Sequence, residues 1–360
     1  MAETTAVTNI LPGYTFGGHD AYEAVPEIVG KYGKKVCIIG GETALSKAVP
    51  VLKPILEAND FTITDVIVFG KECSYEKGQK LAQLDSVKAA DVYFAVGGGK
   101  AIDTVKLVSH YCGSKPFFTF PTIAGTCAAT SKVAAVYHEN HVFDSVHYNG
   151  YPAKHVFIDS QILVEAPTKY AWAGMGDTIA KHYESTFSAR GLQTVYETQL
   201  GLAMSVMCAQ PIQEHGVKAI EASDANKRSD AFDQAALAVI LTTGLVSNFL
   251  AEEFNSNIAH AMCYGFTTQK VVEENHLHGE IVSYGVLVLL TVDKRYEERA
   301  KWLEVYKKMG LPTKLADLDM TLDKMEPVYD KAVAVPDMDV SPYKVTKEML
   351  KAAVEELESL

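Results

Sequence analysis

The sequence predicts an α/β half followed by a helical half, and three observations carry that expectation. Short apolar runs rich in β-branched and aromatic residues recur between residues 36 and 158. Amphipathic stretches of helical length separate them. From about Ala171 onward apolar residues recur almost only at helical spacing. The boundary falls on a change of pattern rather than on a linker, which gives an α/β domain over 1–165 and an all-α domain over 166–360.

Val36 to Ile39 follows the basic pair Lys34-Lys35 and ends at Gly40-Gly41. Ile67 to Phe69, Val92 to Val96 and Phe117 to Phe120 are further strand-like runs, and Val156 to Ile158 closes the series before Pro167. Ala44 to Ala58 and Tyr75 to Ala90 read as the helices between them. Alternating strands and helices imply parallel pairing, because a parallel connection needs a crossover long enough to be a helix. A doubly wound, Rossmann-like parallel sheet is the expected solution. In the second half Ile179 to Phe187, Val195 to Cys208 and Ala231 to Phe249 read as helices. No internal repeat or low-complexity segment interrupts them.

With 360 residues, 48% of them hydrophobic, the chain can bury two cores. Its formal net charge of −12 repels phosphate backbones, so nucleic acid is not an expected partner. No uninterrupted apolar run approaches the roughly 20 residues that cross a bilayer. Met1 to Asn9 lacks the basic start and apolar stretch of a signal peptide. The expected address is the cytoplasm, with no membrane partner. Six cysteines without a CxxC pair suit a reducing compartment, and Cys37 reads as a core residue.

The run Val92 to Val96 leads into Gly97-Gly98-Gly99-Lys100-Ala101-Ile102-Asp103 and then into a helical stretch, Thr104 to His110. Glycines let backbone N–H groups approach phosphate oxygens, and a helix N-terminus adds positive potential, so this turn can hold a pyrophosphate. Asp103 falls where a carboxylate could cap the helix or contact a bound cofactor. The turn is not the GxGxxG fingerprint, and three glycines can also make a plain tight turn. A second loop, Pro121 to Ser131, is small, hydroxyl-rich and uncharged. It would lie at the same carboxyl edge of the sheet, where open parallel sheets bind ligands. An ordinary surface loop with capping hydroxyls is its alternative reading.

Five segments in order carry a family resemblance: GGGKAID at Gly97–Asp103, PTIAGT at Pro121–Thr126, AGMGDTIAKHYE at Ala173–Glu184, AHAMCYGFT at Ala259–Thr267 and HLHGE at His276–Glu280. Over roughly residues 10 to 310 the chain resembles the iron- or zinc-dependent alcohol dehydrogenase superfamily, most closely its glycerol dehydrogenase branch. The resemblance implies a dinucleotide-binding domain and a helical domain in a dehydroquinate synthase-like architecture. It further implies an NAD or NADP cofactor, a small-molecule substrate, a homo-oligomer, and one divalent metal in the cleft, zinc ahead of iron.

By motif the metal ligands, which are also the catalytic set, fall on Asp177, His260 and His278. A carboxylate and two imidazoles suit Zn²⁺ or Fe²⁺ and leave a position open. Each residue has a plainer reading. Asp177 follows Gly174-Met175-Gly176 and could be a helix N-cap, His260 could be a core histidine, and His276 competes with His278. His278 is preferred because Gly279-Glu280 follows it. Where wider relatives carry a fourth ligand this chain has Lys181, with His182 beside it as a candidate relay. The resemblance also carries Thr122, Thr126, Ser131, Val133 and Tyr137 to the cofactor site, beside Gly97, Gly98, Gly99, Lys100 and Asp103. Ser131, Val133 and Tyr137 alternate, so one strand face could present them, or they form half of an ordinary hairpin.

Two departures matter. Glycerol dehydrogenases carry an aspartate for the polyol where this chain has Cys127, and a thiol is a poor acceptor. Loss of that charge suits an anionic substrate at Cys127, which makes an NADPH-linked 2-oxo acid reductase of the hydroxycarboxylate dehydrogenase type the alternative. Gly41 stands where NAD-preferring relatives carry an aspartate that repels a 2′-phosphate, so NADPH is expected to be accepted. The expected activity is hydride transfer between a nicotinamide and a small alcohol, polyol or carbonyl compound. A dehydroquinate synthase-like lyase would need a basic cluster that the second half lacks, and a dinucleotide sensor would need no metal ligands.

Overall fold

The computed structural model describes residues 10–139 and 143–360. The chain forms two compact units. One runs to Ala166 and takes in Asn226–Arg228; the other comprises Pro167–Ala225 and Ser229–Leu360.

Among the described residues the first unit holds all the strands: β1 (Gly13–Gly17), β2 (Lys35–Gly40), β3 (Thr62–Val68), β4 (Val92–Gly97), β5 (Phe117–Pro121), β6 (Val133–Tyr137), β7 (Phe143–Tyr148) and β8 (His155–Asp159). Six of them make one sheet in the order β1-β8-β5-β4-β2-β3, with every neighbouring pair parallel. β6 and β7 form a separate antiparallel hairpin. Central strands covered on both faces read as unbroken apolar runs, and β4 is buried at every position. Edge strand β3 is the exception, with Val66 and Val68 exposed. The helix α1 (Glu42–Ala58) lays Leu45, Ala48, Leu52 and Leu56 on the sheet at helical spacing. Phe94, Phe118, Phe120 and Phe157 fill the core beneath it, Phe120 and Phe157 stacked at 5.0 Å and 13°.

One local expectation in this unit differs from what forms, and one strand lies outside the expected series. The segment Tyr75 to Ala90 is two helices, Tyr75–Ala82 and Asp85–Ala89, because Leu84 is extended at φ −64° and ψ 137°. Asp85 then opens a new first turn, where its charge suits the helix dipole. Strand β1, which has exposed Tyr14 and glycines at both ends, has no apolar run to announce it.

The second unit has no strand among its described residues. Its helices include α2 (Thr168–Ser188), α3 (Ile258–Phe266) and α4 (His278–Val292). The segment Val195 to Cys208 is broken at Ser205 into helices Tyr196–Met204 and Val206–Asp224. Asp230–Phe249 runs through one π-helical stretch, Ala238–Thr242. By length and composition this 20-residue stretch could cross a membrane, contrary to the expectation from uninterrupted runs, but 67% of its window is buried. Its apolar residues are core.

Candidate active site

The glycine turn closes β4 in the first unit. Gly97 has φ +146°, a conformation that side chains disfavour, and its carbonyl accepts from the Thr122 N–H at 3.2 Å. A Cβ on Gly99 would stand 3.2 Å from the Thr126 hydroxyl, so the turn and the Pro121–Ser131 loop lie against each other. The helix Gly99–Tyr111 starts here with Gly98 as N-cap and no side-chain cap. The reading of Asp103 as a cap is therefore replaced: it lies inside that helix.

Asp103 is instead part of a buried ion pair. Lys106 is fully buried and donates to Asp103 Oδ1 at 2.8 Å, to the Val133 carbonyl at 2.5 Å and to Ser131 Oγ at 3.4 Å. Asp103 Oδ2 accepts from the Ala135 N–H at 3.1 Å. The pair thereby pins β6, on which Val133 and Tyr137 lie half-buried while Ala134 and Val136 are buried. Burial pushes the Asp103 carboxyl up, against the Lys106 ammonium beside it. Lys100 Nζ reaches Glu72 Oε1 at 2.5 Å and lies 5.5 Å from the centre of the Tyr137 ring. Thr122 is buried, Thr126 exposed and Cys127 half-buried. Gly41 is the N-cap of α1, with the Phe69 ring 3.8 Å from where its Cβ would stand.

In the second unit the structure brings Asp177, His260 and His278 together, each offering a ligand atom within 4.8 Å of the others. Asp177 lies in mid-helix on α2, so the N-cap reading is replaced. Small residues make the convergence possible. A Cβ on Gly176 would meet the Gly279 carbonyl oxygen at 2.5 Å, and one on Gly285 would meet the Ala259 carbonyl oxygen at 2.5 Å. Helices α2 and α3 therefore both press backbone to backbone on α4. Asp177 Oδ1 lies 3.4 Å from His260 Nε2 and 3.8 Å from His278 Nε2. Two donors on a tetrahedral ion at 2.0–2.2 Å are about 3.3 Å apart, so the set fits one divalent cation. Burial raises the Asp177 carboxyl, but the His260 hydrogen bond and the nearby His278 outweigh it and hold the group at about 2. His260 is pushed up to about 10: burial opposes this, and Glu184, then Asp177, overcome it.

The surroundings sort the remaining candidates. His276 bonds to Glu280 Oε1 at 2.8 Å and Asp319 Oδ2 at 3.2 Å, outside the cluster. Lys181, one turn after Asp177, donates to the Asn255 carbonyl at 2.7 Å and Oδ1 at 3.0 Å. His182 bonds to Ser205 Oγ at 2.9 Å and lines a pocket of about 440 Å³ with Thr186, Arg190, Asp293 and Arg295. It is not among the donor groups that gather at Asp177, and its bond to Ser205 gives a relay role no support. Sequence reasoning missed Glu184. It is fully buried and accepts from the Asn257 N–H at 2.7 Å, the His260 N–H at 2.9 Å and His260 Nδ1 at 2.6 Å. Its place seven residues after Asp177, two turns along one helix face, was the available signal.

A parallel nucleotide-type sheet in one unit and an aspartate–bis-histidine donor set in the other are the parts of a metal-linked dehydrogenase. Residues 12–160 match the family described as iron-containing alcohol dehydrogenase. The hydroxycarboxylate dehydrogenase A of Escherichia coli (strain K12) is 30% identical over 302 residues, covering 81% of this chain and 82% of that protein. The glycerol dehydrogenase of Thermotoga maritima is 28% identical over 361 residues, covering 92% and 94%. The crystal structure of glycerol dehydrogenase from Schizosaccharomyces pombe shares the fold, with TM-score 0.85, 24% identity and coverage of 99% and 91%. The chain belongs to the iron-containing alcohol dehydrogenase family, and its glycerol dehydrogenase relatives are consistent with a place in that branch.

Proposed function

We propose that the chain is a zinc-dependent, nicotinamide-linked dehydrogenase of small alcohols or polyols, with the first unit holding the dinucleotide and the second the metal. The observation that carries this is the meeting of Asp177 Oδ1 with two imidazole Nε2 atoms at 3.4 and 3.8 Å. When bound, the cofactor supplies a hydride acceptor and the cation supplies Lewis acidity toward the substrate oxygen. Asp177, His260 and His278 would hold the cation. Gly97, Gly98, Gly99 and the start of their helix would present backbone N–H groups to the pyrophosphate. Lys100, Thr122 and Thr126 border that turn; the Asp103–Lys106 pair bonds the Val133 carbonyl and the Ala135 N–H of β6, which also carries Tyr137, and Ser131 just ahead of that strand. Gly41 places no carboxylate at the end of β2, which supports acceptance of a 2′-phosphate and hence NADPH.

A second reading, a 2-oxo acid reductase, is favoured by Cys127 in place of a carboxylate and by the Lys181 ammonium one turn from Asp177. A panel of initial rates tests both. Apoprotein reconstituted with zinc, iron or manganese is assayed with NAD(H) and NADP(H) against glycerol, 1,2-diols, aldehydes and 2-oxo acids. Turnover of alcohols or diols supports the first reading, turnover of acids alone supports the second, and no metal-dependent turnover removes both. The chain is also read as a homo-oligomer, supported by the exposed apolar residues Leu192, Val195 and Tyr196. Sedimentation measures that directly.

A further inference from the structure

We infer that Glu184 is a positioning residue that fixes the tautomer of His260 when the cation is bound, keeping the ring proton on Nδ1 and leaving the Nε2 lone pair for the metal. The inference rests on the metal reading above. Glu184 is 0% exposed, and its two oxygens do different work. Oε1 accepts from the backbone N–H groups of Asn257 and His260, at 2.7 and 2.9 Å. Oε2 faces His260 Nδ1 at 2.6 Å. A carboxylate has no proton to give, so Nδ1 must carry one, and a neutral ring then has its lone pair on Nε2. That atom is the one 3.4 Å from Asp177 Oδ1.

Capping alone does not explain the arrangement. Helix α3 already has a side-chain cap, since Asn257 Oδ1 accepts from the Ile258 N–H at 2.9 Å. Burying an acidic side chain is costly unless it is well satisfied, and here its donors are the two backbone groups and the ring. His278 has no such clamp: its Nδ1 faces the Cys263 sulfur at 3.5 Å, a weak partner, and its side chain is 53% exposed against 14% for His260. One imidazole is thus locked by a carboxylate and the other is held loosely. Hydrogen bonds of this kind to the second nitrogen of a ligating histidine govern metal affinity as well as orientation.

Glu184→Gln separates this role from packing, because the amide keeps the shape but replaces one acceptor with a donor. Seated with its oxygen on the two backbone N–H groups, its NH₂ faces Nδ1 and drives the ring proton to Nε2. Zinc affinity, read by competition with a chromophoric chelator, is expected to fall about 10- to 100-fold, while the melting temperature of the metal-free protein stays near wild type. A variant that folds and keeps wild-type zinc affinity overturns the inference. Should it not fold, ring ¹⁵N–¹H spectra of the zinc-loaded wild type decide. A proton on His260 Nδ1 that exchanges slowly with water supports the role, and a proton on Nε2 overturns it. If the wild type takes up no stoichiometric zinc, the metal reading itself fails, and this role fails with it.

Discussion

The carbonyl oxygen of Ala173 lies 1.9 Å from where a Cβ on Gly279 would stand, so at that crossing helices α2 and α4 meet backbone to backbone. The same Cβ would be 3.1 Å from Asp177 Cβ. Close approach of these two helices is what carries His278 to Asp177.

Gly279→Ala is therefore expected to push the helices apart. Overpacking costs about 1–3 kcal/mol, and with backbone as the obstacle the upper end is expected. Thermal melting of the metal-free variant and its zinc stoichiometry check this together. A variant that melts like wild type and still binds zinc would contradict the account of the crossing.

The two histidines should respond differently to truncation. His260→Ala leaves Glu184 Oε2 buried without its donor, at a cost of about 1–3 kcal/mol in the metal-free protein. His278→Ala removes a half-exposed ring and should change that stability by less than about 0.5 kcal/mol. Both should lose the metal. Urea unfolding of the two metal-free variants measures the contrast, and equal losses would sink it.

In the first unit, Lys106→Met strands the buried Asp103 carboxylate. Breaking a buried pair from one side costs about 3–5 kcal/mol, and the double variant with Asp103→Asn should recover part of it. Because Lys106 also holds the Val133 carbonyl, dinucleotide affinity measured by fluorescence titration should fall in the single variant. Unchanged affinity would show that the hairpin needs no such anchor.

Acid should destabilise the protein before most carboxylates titrate. Burial pushes His155, bonded to Thr15 Oγ1 at 2.8 Å, down to about 4, and burial together with nearby Arg295 does the same for His182. Both are held neutral in the fold, whereas an unfolded histidine titrates near about 6.5. Their contribution is complete above the unfolded value and is lost as pH falls from there toward 4. Urea midpoints should drop across that window, and His155→Gln should flatten part of the slope. A midpoint independent of pH there would contradict it.

Sequence pattern reached the sheet because its inner strands are buried on both faces. Val36 to Ile39 and Val92 to Val96 are unbroken apolar runs for that reason. β1 escaped notice because an edge strand with exposed Tyr14 needs no such run. The cluster of Asp177, His260 and His278 came from motif order, since no periodicity links residues on three helices. Glu184 stood inside a quoted motif yet had no visible role, because its partners, His260 and Asn257, are distant in the chain. Asp103 leaves both a cap and a cofactor contact open in the sequence, for a different reason. Its partner Lys106 is local, but the burial that makes the pair matter is a property of the fold.

The central claim is that three side chains of the helical unit hold one cation on which dehydrogenase activity depends. Titration of metal-free protein with zinc, with nicotinamide-linked activity followed at each addition, tests it most directly. The account predicts uptake of about one equivalent per chain, activity rising in proportion, and neither in Asp177→Ala. Full activity in chelator-treated wild type, or undiminished zinc uptake by that variant, would contradict it.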